Sequence, residues 1–255
     1  MGSRQPPPVQ STRSDMADRA YQHILDKILR GLWPLGAEID RRQVAAELKM
    51  SLLPVGEALQ RLEQEMLVES GRRVGTRVRI PTPQEIRGFC VVREALETQA
   101  ARLFAERARL SERQEIQNLA AELDSLYESS AELGCDASPA ALHELRLVHM
   151  RFHLRIAECA GCPYLTQHIE KNQHLVFNSF YDKLFGARRL PPEWHVSLAR
   201  ILAAGDAEQA DQAMRRHVRH HLDEIMYRLE PYLNLDRQMI LSSGERSSEK
   251  AQKNI

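Results

Sequence analysis

The chain has 255 residues, enough for two domains that each bury a core. Thirty-five Lys and Arg balance 35 Asp and Glu, which excludes attachment to nucleic acid through a global basic field. Abundant Leu, Ala, Arg and Glu with only 5% aromatics suit a mostly helical soluble protein. No run of about 18 apolar residues occurs and no signal-like h-region opens the chain, so the expected location is the cytoplasm, with no membrane partner. Cys90, Cys135, Cys159 and Cys162 are scattered, and Cys159-Ala160-Gly161-Cys162 is the only C-x-x-C pair. Free thiols of a reducing compartment are the expected state.

Residues 1–14 are rich in Pro, Ser and Gln and read as a disordered tail. Residues 15–80 read as a winged helix-turn-helix. Asp15 or Asp18 caps a first helix whose stripe is Ala20, Tyr21, Ile24, Leu25 and Ile28, and Gly31 ends it. A short extended piece is expected at Glu38-Ile39. A second helix covers Arg42 to Leu48. Ser51 is a natural N-cap for a third, with Pro54 in its first turn and Val55, Leu59, Leu62 and Met66 facing inward. Leu52, Gly56, Gln60 and Arg61 then face outward. Val68 to Ser70 and Thr76 to Arg79 form a two-stranded wing with Gly71 to Gly75 at its tip. Helix, turn, helix and hairpin together place one helix in the major groove of double-stranded DNA. Between Asp15 and Ile80 there are 11 Lys/Arg and 10 Asp/Glu, a net of +1, so DNA affinity has to come from local patches. The residues expected to carry it are Arg41, Arg42, Ser51, Leu52, Arg61, Arg72, Arg73 and Arg77.

Pro81-Thr82-Pro83 marks a boundary, and Thr82 with Glu85 makes a capping box. From there to about residue 232 the pattern is helical throughout, with helices expected at about 83–107, 111–133, 138–160, 163–187, 191–204 and 206–230. Ser111 with Gln114, Ser138 before Pro139, and Asp206 after Gly205 mark starts. Six helices with short connections imply an antiparallel bundle, so the fold class is mostly α with a small β wing. Residues 235–255 read as a second disordered tail.

All the histidines except His23 lie beyond residue 140. His149 and His153 are four apart, on one side of one helix, at the edge of the stripe Leu145, Val148, Phe152, Ile156, Cys159. His195 and His217 stand at similar distances either side of Gly205-Asp206, roughly 15–18 Å from the turn at ~1.5 Å per residue. An antiparallel pair brings them level, so four imidazoles from three helices can meet and ligate a divalent metal. His221, one turn beyond His217, lies closer to its helix's apolar stripe and competes for the inward place. His23, His143, His168, His174 and His220 read as surface or core residues. A bundle metalloenzyme would want Glu-x-x-His or His-Glu-x-x-His, and neither occurs.

These residues resemble the GntR family of transcription regulators, in its FadR-like branch with an FCD effector domain. The likeness covers about residues 20–230. It is carried by Gly31-x-x-Pro34-x-Gly36, Leu48, Ser51-x-x-Pro54-Val55-x-Glu57-Ala58-Leu59-x-x-Leu62-Glu63, Leu67-Val68 and Gly75. In the helical part it continues through Arg93-x-x-Leu96-Glu97, Phe152-His153, His195, and Gly205-Asp206 leading to His217. The resemblance implies a homodimer on a pseudo-palindromic operator, and a small carboxylate effector held over a divalent metal. By position the metal ligands are His149, His153, His195 and His217, and Arg93 grips the carboxylate. An ion pair with Glu97, one turn on, is the other role open to Arg93.

The family usually has Asp where His149 stands, which turns the expectation toward Zn or Ni, or Cu, over Mn or Mg, or else toward an empty site. It usually has Asn at Cys162 and Gly at Met66. It usually has Arg at Leu52 and Gly56, so a different operator is expected, or a regulator that acts through protein contact.

Overall fold

The computed structural model describes residues 13–71, 75–133, 138–176 and 190–220. They divide into two compact units at Ile80/Pro81. No described helix is long and apolar enough to cross a membrane.

The first unit opens with α1 (Arg13–Leu29). It starts earlier than the sequence suggests, so Asp15 sits inside the first turn, where a carboxylate complements the helix dipole, and Asp18 lies a turn further in. Ala20, Tyr21, Ile24, Leu25 and Ile28 are buried, as their spacing predicts. α2 (Arg41–Leu48) is capped by Asp40, which accepts from the Arg42 and Gln43 N–H groups. Lys49 then turns left-handed, and α3 (Leu52–Gln64) begins with Ser51 at the N-cap position.

Val55, Leu59 and Leu62 are fully buried on α3, but Met66 is not. Met66 adopts φ 61° just past the helix end and remains 37% exposed, because a left-handed residue turns its side chain off the helical stripe. β1 (Val68–Gly71) pairs antiparallel with β2 (Gly75–Val78), Val68 opposite Val78 and Gly71 opposite Gly75. The piece at Glu38-Ile39 joins the wing through a bridge to Arg77 and a bond from the Ile39 N–H to the Thr76 carbonyl, 2.8 Å.

The second unit is all helix. α4 (Pro83–Arg107) carries the full Thr82–Glu85 capping box. α5 (Leu110–Leu133) follows after a two-residue break; Glu112 accepts from the Arg109 N–H and Ser111 is already helical rather than capping. α6 (Pro139–Cys159) is capped by Ser138 through the Ala141 N–H. α7 (Pro163–Val176) is described to residue 176, so the rest of the expected 163–187 helix lies outside the described residues.

α8 (Trp194–Ala204) starts three residues later than expected. Pro191 is followed by Pro192, and a residue before proline is driven out of the α region. Gly205 turns at φ 89°, Asp206 caps the next helix through the Glu208 and Gln209 N–H groups, and α9 runs over 207–220.

The core of this unit is one cluster that includes Phe104, Ile116, Leu123, Phe152, Ile156, Leu202 and Met214. Each such side chain contributes about 1.5–3 kcal/mol on burial. α5 packs against both α6 and α8, and α4 against α6 and α7. Arg113 fastens helix ends together: its guanidinium donates to the carbonyls of Ala105 and Ala108 at the end of α4, at 2.8 and 2.9 Å, and to Ala203 at the end of α8.

Candidate metal centre and DNA-reading surface

α6 brings His149 and His153 to one side, one turn apart, and both are buried. α8 contributes His195 and α9 contributes His217, also buried. The four rings gather tightly. His149–His153, His149–His195, His153–His217 and His195–His217 centroids are 4.9 to 5.1 Å apart. His153 Nε2 lies 3.0 Å from His149 Nε2 and 3.3 Å from His217 Nε2. Ligand nitrogens of these three all fall within 4.8 Å of one another. His195 Nε2 is buried with no hydrogen-bond partner.

A tetrahedral zinc site with Zn–N of roughly 2.0–2.1 Å has N···N edges of about 3.3–3.4 Å. The observed 3.0 and 3.3 Å are close to that dimension. The residues therefore fit a borderline divalent ion.

The Nδ1 atoms of His149, His153 and His195 have partners of the kind that orient metal-bound histidines. Glu97 Oε2 stands 2.8 Å from His153 Nδ1, and Asp124 Oδ1 stands 2.6 Å from His195 Nδ1. Tyr127 Oη is 3.0 Å from His149 Nδ1, and its ring stacks on His195 at 5.4 Å. A carboxylate at Nδ1 keeps the proton there and leaves the Nε2 lone pair pointing into the cluster. Trp194 stacks on His217 at 5.7 Å.

Arg93 is 1% exposed. Its Nε donates to Glu97 Oε1 at 2.9 Å, and one terminal nitrogen lies 3.2 Å from His153 Nε2. The i, i+4 ion pair is thus present, but it is buried against the histidines instead of lying on a helix surface.

Electrostatics follow the burial. Burial pushes the Glu97 carboxyl up, but Arg93 and His153 outweigh it and hold the group at about 2. Burial, joined by the charges of His153, His195, Arg93 and His217, drives His149 well below its usual value. Burial also lowers His153 and His195 despite their carboxylate partners. His149, His153 and His195 are therefore neutral, the form that binds a metal.

The sign of the pH effect is fixed. Each depressed imidazole stays neutral in the fold while the unfolded chain takes a proton below about 6.5, so stability falls as pH drops through that value. Glu97, whose folded value is about 2, adds a further loss below about 4.5. The expected outcome is a thermal midpoint that declines from pH 8 to pH 5. Calorimetry in metal-free buffer checks it, and a flat midpoint contradicts the buried neutral cluster.

A groove lies behind this cluster, lined by Asp124, Tyr127, Glu128, Glu132, Pro191 and Pro192. The remaining histidines are elsewhere: His23 beside Glu47 at 3.0 Å, His168 exposed, His220 against Trp194 at 4.6 Å. The side chains of His174 and His221 lie outside the described residues. Cys90, Cys159 and Cys162 are free thiols, and Cys135 is outside the described residues.

In the winged unit Ser51, Leu52, Arg41 and Arg42 are exposed. Arg41 reaches the wing and donates to Thr76 Oγ1 at 2.7 Å. Arg77 pairs with Glu69 across the wing. Arg72 and Arg73 lie outside the described residues. Arg61 is exposed, as expected, and its side chain also has partners on α1. It donates to Asp18 at 2.9 Å and covers the Tyr21 ring at 3.8 Å, so it is engaged with α1.

Sequence reasoning did not single out Asp124, Tyr127 or Trp194 at the histidine cluster, nor Leu53, which is 54% exposed beside Leu52. The signal for Asp124 and Tyr127 was faint: they lie three apart on one helix face.

Comparison with known proteins identifies both units. Residues 16–78 match the bacterial regulatory proteins of the gntR family, and residues 89–220, just over half the chain, match the FCD domain. The protein named "Probable D-xylose utilization operon transcriptional repressor" of Paenarthrobacter nicotinovorans is 30% identical over 213 residues, covering 83% of this chain and 89% of that one. The Nta operon transcriptional regulator of Aminobacter aminovorans is 25% identical over 192 residues, 75% of this chain and 85% of that one. Among solved structures, a GntR transcriptional regulator from Rhodococcus sp. RHA1 shares the fold at TM-score 0.66 and 20% identity, over 82% of this chain and 97% of that one. E. coli McbR/YncC does so at TM-score 0.63 and 21% identity, over 87% and 98%. With the two family matches lying end to end along the sequence, the chain belongs to the GntR family of bacterial transcription regulators, in the branch that carries an FCD domain.

Proposed function

We propose that the protein is a ligand-responsive, DNA-binding regulator of the cytoplasm that works as a homodimer. Its helical unit binds a small carboxylate over a divalent metal, Zn or Ni, held by His149, His153, His195 and His217. The observation that carries the reading is the convergence of three Nε2 atoms at 3.0 and 3.3 Å with the unpartnered Nε2 of His195 beside them. When bound, the ion supplies a Lewis-acidic point for an anionic ligand.

Arg93 takes the carboxylate, since a guanidinium already at the cluster edge offers a paired-donor grip. Glu97 keeps that guanidinium oriented. The groove beside Asp124 and Tyr127 is lined with Glu128 and Glu132 as well, a set that repels an anion and suits the approach of a cation. Effector binding shifts the helical unit between two arrangements and so changes the affinity of the winged unit for its operator. The name of the xylose-operon relative makes repression the expected sign. DNA contacts fall to Arg41, Arg42, Ser51, Leu52, Arg61, Arg72, Arg73 and Arg77.

The test is a shift assay on DNA upstream of the protein's own gene, at 50 and 200 mM salt, with and without zinc and a panel of small carboxylates. Specific binding that weakens with salt and changes at least tenfold with metal plus one acid is the expected result. The same affinity under all ligand conditions removes the effector reading. No specific binding at either salt instead favours a regulator that acts through protein contact, the second reading that the exposed Leu52 and Leu53 support.

A further inference from the structure

The outward face of α3 has an unusual chemistry for a helix that enters a groove. Leu52 is 52% and Leu53 is 54% exposed at its first turn. One turn on, Gly56 leaves the face open: a side chain there would meet no atom within 4 Å. Gln60, a further turn along, is exposed. Glu57 on the flank is ion-paired with Arg13. The sole basic residue of α3, Arg61, is taken up by Asp18 and by the ring of Tyr21.

Each base pair shows the major groove a distinct set of groups. Guanine offers two acceptors and is read by a guanidinium or ammonium, and the one guanidinium of α3, Arg61, is already paired with Asp18. Thymine offers a methyl, the one apolar group in the groove, and two leucine side chains match it. Adenine offers an acceptor beside a donor, which one carboxamide complements. We infer that α3 reads A·T base pairs, with Leu52 and Leu53 against thymine methyls and Gln60 on an adenine, in a half-site without a required guanine. The inference rests on α3 being the helix that enters the groove, and it adds which bases that helix selects. With Arg61 paired to Asp18, the salt dependence of binding becomes a property of the flanking arginines, because leucine contacts release no counterions.

The experiment selects duplexes from a random pool with the full-length protein, then replaces each thymine of the selected half-site by deoxyuridine, which removes only the methyl. The expected result is an A·T-rich core and a loss of about fourfold for each methyl in contact with leucine, the affinity equivalent of one buried methyl. Leu52→Ala, an exposed change that leaves the fold intact, should show the same loss on thymine DNA and no further loss on deoxyuridine DNA. Gly56→Arg should bring a guanine into the selected site. A selected core of required guanines, or equal affinity for thymine and deoxyuridine duplexes, overturns the inference while leaving the DNA-binding function in place. If no sequence is enriched at all, α3 is not a groove-reading helix, and the underlying reading fails along with the inference.

Discussion

His153→Ala is expected to abolish stoichiometric uptake of a divalent metal. Both short nitrogen–nitrogen approaches in the cluster, 3.0 and 3.3 Å, involve His153 Nε2, so this substitution removes the nitrogen that both His149 and His217 approach. Loss of a partner that merely orients a ligand costs about 10–100-fold in metal affinity, and loss of a ligand exceeds that. Asp124→Asn, which alters only the partner of His195 Nδ1, should fall within the smaller range. His168→Ala, on an exposed histidine of α7, should change nothing. Elemental analysis of the purified proteins, followed by zinc titration of chelator-treated samples, reads all three. Equal metal content in the parent and His153→Ala removes the cage from the account.

Glu97→Leu is expected to be the most damaging single change to stability, at about 3–5 kcal/mol, because it leaves a buried guanidinium uncompensated. Arg93 is 1% exposed and Glu97 2%, so water cannot replace the lost partner. The double variant Arg93→Met with Glu97→Leu should recover most of the loss, since replacing both members of a buried pair by apolar groups is often neutral. Urea unfolding of the two variants measures this. A single-variant loss below about 1 kcal/mol, or a double variant worse than the single, would show that the pair is solvated and exert no such strain on the fold. The double variant also removes the Glu97 partner of His153 Nδ1, so its metal affinity should fall by about 10–100-fold, while Arg93→Met alone should keep the metal and lose the response to carboxylates.

The helices were legible because their periodicity, caps and breakers are local. Ser138, Asp206 and the Thr82–Glu85 box mark starts in the sequence and do so in the fold. His149 and His153 follow from spacing on one helix, and His195 with His217 from arithmetic about one turn. The misreadings share a different cause. Ser111 has the chemistry of a cap, but Glu112 satisfied the Arg109 N–H first. Met66 falls on the helical period yet lies past the point where the backbone turns left-handed. The partners of the exposed Arg61, Asp18 and Tyr21, come from α1, so a wheel of α3 alone does not show them. Asp124 and Tyr127 belong to α5 and meet histidines 22 and 71 positions away, so nothing nearby in the sequence announces them.

The grip of Arg113 on the ends of α4 and α8 gives the hairpin of α8 and α9 a fixed origin. From there the chain measures out His195 in one direction and His217 in the other. One residue inserted beside Gly205 would carry His217 about 1.5 Å along and about 100° around its helix, out of reach of its partners. Exposed positions such as Arg200 and Gln212 can be exchanged without moving either ring. In this stretch inheritance has to preserve a length more than a spelling.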